Sequence, residues 1–466
     1  MSDTYATGMG KTQTPGVGWT GVPIDNTRRI FGIGDRVAEL SPQQSLFFTY
    51  LTKIAKQSTD DTVWKPLEYR HQWQRRNFYV ESDTAAVAEV SGGTGVDEKV
   101  KITGVALECG YDKYGKLAAA QIPIFILDDQ VVAIRVSDTG KVQNFKVSNW
   151  DSAAGTCDLT TVDKLTDAEQ AALTLSAGDK GQVVGSQFAE GTGAPDGWRD
   201  ELSDTEFYTQ IFKTSVPLMS GSAMATRYRG YANEWKRIYA EHVMSHKMDI
   251  EHAMLFGKGV YHDQDNRFSW GIVPFIENKG GKQYTMDYDG TVASPSTSGD
   301  LPFTYDGLVD LMEDFMAPES GNSGQKLVLT SRKVIAKMSK LGDDSFVANS
   351  VSTNTPFRAN LDVKPSKFAP VDVTSIGTSF GSLNFIAHPL FRNAWEDMAV
   401  AIDLSNVKYR PLAANGQNRD TFVETNIQDN STDGRKDQII TEAGLEVNLP
   451  ETHAIINFKS DASNDS

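Results

Sequence analysis

The sequence lacks the segments that would place a protein in a membrane or in an oxidising compartment. No hydrophobic run approaches the roughly 18 residues that a membrane-spanning helix needs, and the polar start MSDTYATGMG has no signal-peptide pattern. Cys109 and Cys157 are the only cysteines, which is too few for a disulfide framework. We therefore expect folding in a reducing cytoplasm, with no membrane partner.

Positive charge is also scarce. The chain has 45 Lys and Arg against 61 Asp and Glu, a formal net charge of −16 over 466 residues. Tight binding of nucleic acid over a whole surface requires a surplus of positive charge, so this class of function is excluded. A local basic face remains possible, for example at residues 70–76 (RHQWQRR). The length corresponds to roughly two to four domains.

What the sequence does contain is an irregular alternation of helical and strand-like patterns. Ser41-Pro42 is a typical helix start, followed by apolar residues at helical spacing. Between residues 84 and 190, strand-like segments such as VKITGVALE and QVVAIRVSD are separated by Gly, Asp and Asn turns. A helical pattern over 226–256 stops at Gly257. We predict an α+β fold that includes a small β-rich subdomain at 84–190.

One motif suggests an enzyme. The stretch GTSFG around Ser379 fits GxSxG, and Asp403 and His453 follow in the chain order of the α/β-hydrolases. A nucleophile elbow needs a strand before it and a helix after it. VDVTSI is strand-like, but SLNFIAHPL also alternates like a strand, which predicts a hairpin turn instead. A hydrolase using Ser379, Asp403 and His453 is kept as the alternative function.

The stretch EHVMSHKMDIEH, residues 241–252, contains three of the seven histidines. At about 100° per residue, His242, His246 and Asp249 share one helix face, whereas His252 points roughly 80° away from the pair. The three residues could hold a metal ion, but there is no HExxH and bulky apolar residues share the face. We expect packed, hydrogen-bonded histidines in a long helix, and no metal or other cofactor.

Four stretches, taken in order, resemble a known family. They are RVAELSPQQSLFFTYLTKIAK with VWKPLEYRHQW; FYTQIFKTSVPLMSGSA leading into the long helix; RFSWGIVPFIEN; and VTSIGTSFGSLNFIAHPLF through AIDLSNVKYRPLA to IITEAGLEVNLPETHAIINF. Their order and spacing resemble the major capsid proteins of tailed bacteriophages of the Hong Kong 97 type. The resemblance is closest to a branch with a β insertion at the extended loop. None of the four stretches is a catalytic motif.

The resemblance implies a division of the chain into the parts of that capsid fold: an N-terminal arm, an extended β-loop with an insert, a peripheral domain with a long spine helix, and an axial domain. The expected bounds are the arm at 1–60, the start of the extended loop at 61–83, the inserted β-rich subdomain at 84–190, the returning loop at 191–225, the peripheral domain at 226–300 with its spine helix at 226–256, the axial domain at 301–425, the final peripheral strands at 426–460 and a tail at 461–466.

The function implied is structural rather than enzymatic: self-assembly of hexamers and pentamers into an icosahedral head around double-stranded DNA. Expected partners are other copies of the chain, portal, scaffold and decoration proteins, and DNA bound without sequence specificity on the inner face. Aromatic residues often dominate interface energies. The predicted intersubunit contacts are therefore Phe47, Phe48, Tyr50, Trp64, Tyr69, Trp73, Phe207, Tyr208 and Phe212, with burial inside one subunit as the equal alternative for each.

Overall fold

Helices are few and, with one exception, short. The computed structural model describes residues 46–71, 75–83, 87–91, 99–137, 139–166, 169–170, 173–195, 197, 199–228, 233–263, 266–288, 300–317, 324–338, 366–368 and 371–459. Within these residues the helices are α1 (Leu46–Ile54), α2 (Gly221–Ala225), α3 (Glu234–Phe256), α4 (Ile272–Asn278), α5 (Tyr305–Phe315) and α6 (residues 332–338), with 3-10 turns at Asn393–Trp395, Leu404–Asn406 and Pro450–Thr452. Strands make up the larger share, which confirms the predicted α+β class.

Eight strands near the start of the chain form a sheet that closes on itself. They are β3 (Asn77–Val80), β4 (Val87–Ser91), β5 (Lys99–Tyr111), β6 (Leu117–Gln121), β7 (Gln130–Arg135), β8 (Val142–Asp151), β9 (Thr156–Thr161) and β10 (Lys180–Ser186). The order β3-β10-β7-β8-β9-β5 returns to its beginning, because β3 pairs with both β10 and β5. Strands β4 and β6 extend β5. Closure of the six-stranded barrel removes the open edges that a flat sheet would expose.

The barrel has a hydrophobic core of its own. Phe78, Ile134, Phe145 and Leu159 are among the side chains that fill it, and each is at most 3% exposed. Gly181 of β10 leaves the space that the Phe78 ring occupies, since a Cβ at Gly181 would lie 2.5 Å from that ring. The barrel thus has a hydrophobic cluster separate from those of the two other sheets, and its first strand, β3, precedes residue 84.

A narrow two-stranded ribbon connects the barrel to the rest of the protein. Each of its two sides carries two short strands. One side has β1 (Val63–Trp64) and β2 (Leu67–Glu68), and the other has β11 (Ser203–Asp204) and β12 (Phe207–Tyr208). Strand β1 pairs with β12 and β2 pairs with β11, both antiparallel. The chain therefore enters and leaves the barrel side by side.

The ribbon continues into a four-stranded sheet that we call the body sheet. Its strands are β13 (Gln210–Ser215), β23 (Val407–Pro411), β26 (Phe422–Glu424) and β27 (Gln438–Val447), with two small hairpins nearby, β14 (Lys258–Asp263) with β15 (Asn266–Trp270) and β24 (Ala413–Ala414) with β25 (Gln417–Asn418). Residues of α1, α3 and α4 share the largest hydrophobic cluster with β27, which is buried along almost its whole length. The body sheet is therefore the platform on which the long helix lies.

A second sheet, whose eight strands pair both parallel and antiparallel, forms the other large body. We call it the eight-stranded sheet, to distinguish it from the barrel. In spatial order its strands are β17 (Leu301–Pro302), β16 (Lys282–Asp287), β28 (Ala454–Lys459), β22 (Met398–Ile402), β18 (Gln325–Thr330), β21 (Ser382–Ala387), β20 (Val371–Gly377) and β19 (Ser366–Phe368). One face packs under α5 and α6 and the other contributes to the core of the body sheet. The closing segment 426–460 supplies strands to both sheets, β27 to the first and β28 to the second.

The long helix α3 is shorter at its start than the predicted 226–256. It begins at Glu234, where the Asn233 side chain accepts a hydrogen bond from the Lys236 N–H at 3.1 Å, a typical N-cap. It ends at Phe256, as predicted. The predicted start was wrong because a separate short helix, α2, ends at Ala225. Its C-cap, Thr226, has an extended backbone and cannot begin α3. All six buried residues of α3 lie in its second half, between His246 and Leu255.

Candidate functional site

The residues of the hydrolase alternative do not form a triad. The Nδ1 atom of the fully buried His453 accepts a hydrogen bond from the backbone N–H of Asp403 at 3.1 Å. The Asp403 carboxylate is held instead by Lys326 Nζ at 2.6 Å and by the Ser405 hydroxyl. Ser379 is exposed in the hairpin turn between β20 and β21. A triad needs the imidazole proton on Nδ1 and a free Nε2, and this arrangement places it on Nε2. The geometry contradicts a hydrolase built on these three residues.

The histidine face on α3 is a packing contact. Both ring nitrogens of His246 are bonded to hydroxyls, Nδ1 to Thr214 Oγ1 and Nε2 to Thr441 Oγ1, each at 2.8 Å. Burial lowers the pKa of His246, which keeps the ring neutral between the two strands. His242 is half-buried and Asp249 is exposed. In the part of the chain that the structure describes, no three His, Cys, Asp or Glu side chains are placed to hold a metal ion.

Four of the nine predicted contact residues lie in the core of a single subunit. Phe47 and Phe48 of α1 are buried against α3, and Phe212 of β13 is buried beside them. Phe207 is fully enclosed, with its ring stacked 6.0 Å from Trp64 and 5.5 Å from Phe275. These four side chains have almost no surface left to offer to a neighbouring copy.

Four of the other predicted contact residues keep exposed surface. Tyr50 and Trp64 are half-buried, and Trp64 Nε1 donates to Glu446 Oε2 at 3.0 Å. Tyr208 stacks on Tyr261 with 5.4 Å between ring centroids. Tyr69 is 45% exposed. Trp73 lies outside the described residues.

The base of the ribbon is fixed by a buried arginine. Arg70 donates to both carboxylate oxygens of Glu451, at 2.9 and 3.0 Å, to Glu68 at 2.8 Å and to the Ser203 hydroxyl at 2.9 Å. Burial acts against its charge, but the hydrogen bonds and charges of the two carboxylates raise the pKa of Arg70 overall. Glu68 in turn accepts the N–H of Leu449 at 2.8 Å. Arg70 is therefore not part of the basic face considered for residues 70–76.

The opposite side of the ribbon is open to solvent and carries exposed leucines among charged residues. Strand alternation places Glu68 and Arg70 inward and Leu67 and Tyr69 outward, and Leu202 lies directly before the facing strand β11. Leu67 is 69% exposed and Leu202 is 52% exposed. Neither leucine was among the predicted contact residues, because only aromatic side chains were considered for that role. Alternation of charge and apolar side chains in LEYR was the available signal.

Within the residues that the structure describes, no helix is long and apolar enough to span a membrane. Of the residues tested above for chemistry, His246, Asp403 and His453 are buried and bonded to their own subunit. The family that its sequence matches places the protein in the structural, shell-building class. The chain belongs to the SU10 major capsid protein family, whose model matches residues 26–460. It is a phage capsid component of the virion, self-associates into the shell of an icosahedral head, and is not an enzyme.

Several solved capsid structures are similar to the chain at low identity. The capsid of Myoviridae phage XM1 is 10% identical and covers 94% of this chain and 99% of its own, with a TM-score of 0.43. Mycobacterium phage Patience is 13% identical over 59% of this chain and 77% of its own, with a TM-score of 0.37. The satellite phage P4 procapsid is 13% identical over 60% and 80%, with a TM-score of 0.35. No curated protein sequence matches the chain.

Proposed function

We propose that copies of this chain assemble as hexamers and pentamers, which build the icosahedral head around double-stranded DNA. The observation that supports this most is the ribbon with its barrel. A separately packed barrel on two paired strands gains little from its own subunit, and the exposed Leu67, Tyr69 and Leu202 lie along its stalk. Such a unit contributes stability when it overlaps an adjacent copy, where exposed apolar surface becomes buried.

In this arrangement the barrel is an insertion at the extended loop of a Hong Kong 97-type fold. The body sheet with α3 corresponds to the peripheral domain and the eight-stranded sheet to the axial domain. The arm, residues 1–60, clasps a neighbouring copy through its part before α1. The outward residues Tyr50, Trp64, Tyr69 and Tyr208 contribute to contacts, because each keeps surface that another copy can cover.

The net charge of −16 supports a shell that encloses DNA without holding it tightly, since like charges repel. DNA contact is then non-specific and confined to the inner face. Portal, scaffold and decoration proteins are the proposed further partners. Assembly takes place in the cytoplasm of the host, where the buried thiols of Cys109 and Cys157 remain reduced.

The native mass tests this proposal. The full chain, expressed alone or with a scaffold protein, should give particles of megadalton mass in analytical ultracentrifugation and closed shells by negative-stain microscopy. A folded monomer or small oligomer under every assembly condition would overturn it. Removal of residues 1–45, which keeps α1, should abolish shells while leaving the subunit folded. Intact shells from that variant would contradict the role of the arm.

A further inference from the structure

A cavity of about 340 Å³ opens beside the last turns of α3. Asp249, His252 and Phe256 line one side of it, and their spacing of three and four residues places them on one face of the helix. The other walls come from separate segments, which contribute Gln210 of β13, Phe268 of β15 and Trp395 of the 3-10 turn after β21. The volume lies at the lower end of the range of about 300–1,000 Å³ that is typical of small-molecule sites.

Aromatic rings form much of the wall, and they keep open surface. Trp395 stacks on Phe256 with 4.3 Å between the ring centroids, yet Trp395 is 38% exposed. Phe268, in the hairpin of β14 and β15, is 40% exposed. The face of an aromatic ring carries partial negative charge, so it attracts a cation that lies over it.

The charges around the cavity also favour a cation. Among the described residues its lining contains the Asp249 carboxylate and no Lys or Arg. Asp249 is exposed and has neither an ion pair nor a hydrogen bond within the part of the chain that the structure describes. His246, whose ring is near Asp249, stays neutral because burial lowers its pKa. Since α3 ends at Phe256, the negative end of the helix dipole lies at the same wall.

We propose that this cavity binds an aliphatic polyamine, with an ammonium group at Asp249 and the methylene groups against the rings of Phe268 and Trp395. Such a ligand combines the two properties that the walls present, since its charge complements the carboxylate and its carbon chain covers apolar surface. A magnesium ion fits this lining less well, because Mg²⁺ needs several oxygen ligands in octahedral geometry and the described lining offers one carboxylate.

Calorimetric titration of the free subunit with 1,4-diaminobutane at pH 8 tests this proposal. The chain attracts cations in general through its net charge of −16, so the design must separate the cavity from that background. Wild type should bind the diamine saturably at one site, and Mg²⁺ at the same ionic strength should not displace it. Asp249→Asn should weaken binding about fivefold, because it removes the charge contact. Glu313→Gln removes an exposed carboxylate of α5, outside the cavity, and should bind like wild type. Equal affinities of the two variants would overturn the proposal.

The aromatic contact has a test of its own. Saturation of the aromatic protons of the wild-type chain in a transfer NMR experiment should reach the methylene protons of the bound diamine. Trp395→Leu, which keeps an apolar side chain, should reduce this transfer and weaken binding about threefold. Thermal unfolding of the free subunits establishes that the variants fold, and if one does not, the transfer on the wild-type chain decides. Saturable binding without any transfer would place the diamine elsewhere on the acidic surface and overturn the proposal. Both experiments use free subunits, so their outcome is independent of shell assembly.

Discussion

Glu251 of α3 and His388, in the loop after β21, form a hydrogen bond of 2.5 Å in which neither side chain is exposed. The N–H of Leu390 donates to His388 Nδ1 at 3.3 Å, so the imidazole proton lies on Nε2 and points to the carboxylate. The same oxygen of Glu251 accepts the N–H of Phe47 in the first turn of α1, at 3.0 Å. One buried carboxylate therefore joins α1, α3 and the eight-stranded sheet.

Replacing this carboxylate should destabilise the subunit strongly. Glu251→Ala leaves the His388 and Phe47 donors buried without an acceptor, and each unsatisfied buried donor costs about 1–3 kcal/mol. Chemical unfolding of the free subunit measures the loss. Glu251→Gln keeps one acceptor oxygen and should lose clearly less. Equal stability of the alanine variant and wild type would show that the junction does not hold α1.

The ribbon face should matter for assembly and not for folding. Leu67→Glu removes an exposed leucine whose full burial in a contact is worth roughly 1.5–3 kcal/mol, so the assembly concentration should rise about tenfold or more. Leu67→Ile is the matched control and should assemble normally. Light scattering across a concentration series gives the result. A Leu67→Glu chain that assembles at the wild-type concentration would remove Leu67 from the proposed contacts.

Acid should weaken the eight-stranded sheet through His453. Its complete burial, helped by the nearby Lys326 charge, lowers the pKa of His453 from 6.5 to about 4. The unfolded chain binds the proton first, so this contribution is present above pH 6.5 and is lost as the pH falls from 6.5 to 4. The loss is on the order of 3 kcal/mol.

Unfolding free energies measured between pH 8 and pH 4 test this prediction. His453→Gln should flatten the decline below pH 6.5, leaving the smaller slope that His246 contributes through its lowered pKa. Comparison at pH 8, where both imidazoles are neutral, separates the pH effect from any packing loss of the variant. An unchanged slope in the variant would mean that His453 titrates normally in the fold.

Closure of the barrel should depend on a glycine, which has no side chain, at position 181. Gly181→Ala places a Cβ 2.5 Å from the Phe78 ring and 3.1 Å from Ile134, and overpacking of this kind costs about 1–3 kcal/mol. Gly185→Ala on the same strand meets nothing within 4 Å and should be tolerated. Hydrogen exchange should show loosening confined to the barrel amides. If both variants exchange alike, the contact between β10 and Phe78 does not limit packing.

Local signals in the sequence predicted the local features of the fold. Gly257 marked the end of α3 because a side chain there would meet the Ala253 and Ser269 carbonyls, and turn residues separated the barrel strands correctly. Barrel closure could not be predicted, since it depends on β3 meeting β5 and β10, which are far apart in the chain. Non-local pairing of that kind leaves no trace in periodicity.

Residues that contact a neighbouring copy were harder to predict than the strand pairing. An aromatic side chain such as Phe207 is buried in the finished virion whether its partner is Phe275 of its own chain or a neighbouring copy, so its type alone carries no information about which. Arg70 shows the same limit for charge: RHQWQRR resembles a basic surface, yet Glu68 and Glu451 enclose its first residue. Only the three-dimensional partners distinguish the two cases.

The side-by-side entry and exit of the barrel has an engineering consequence. Since the ribbon strands are paired before the barrel begins, the two chain ends that would remain after its removal are already adjacent. A short linker between residues 71 and 200 could replace the barrel without opening the core around β27. Excision of the barrel at this point leaves the paired ends of the ribbon in place, so it separates the contribution of the barrel to assembly from that of the body sheet.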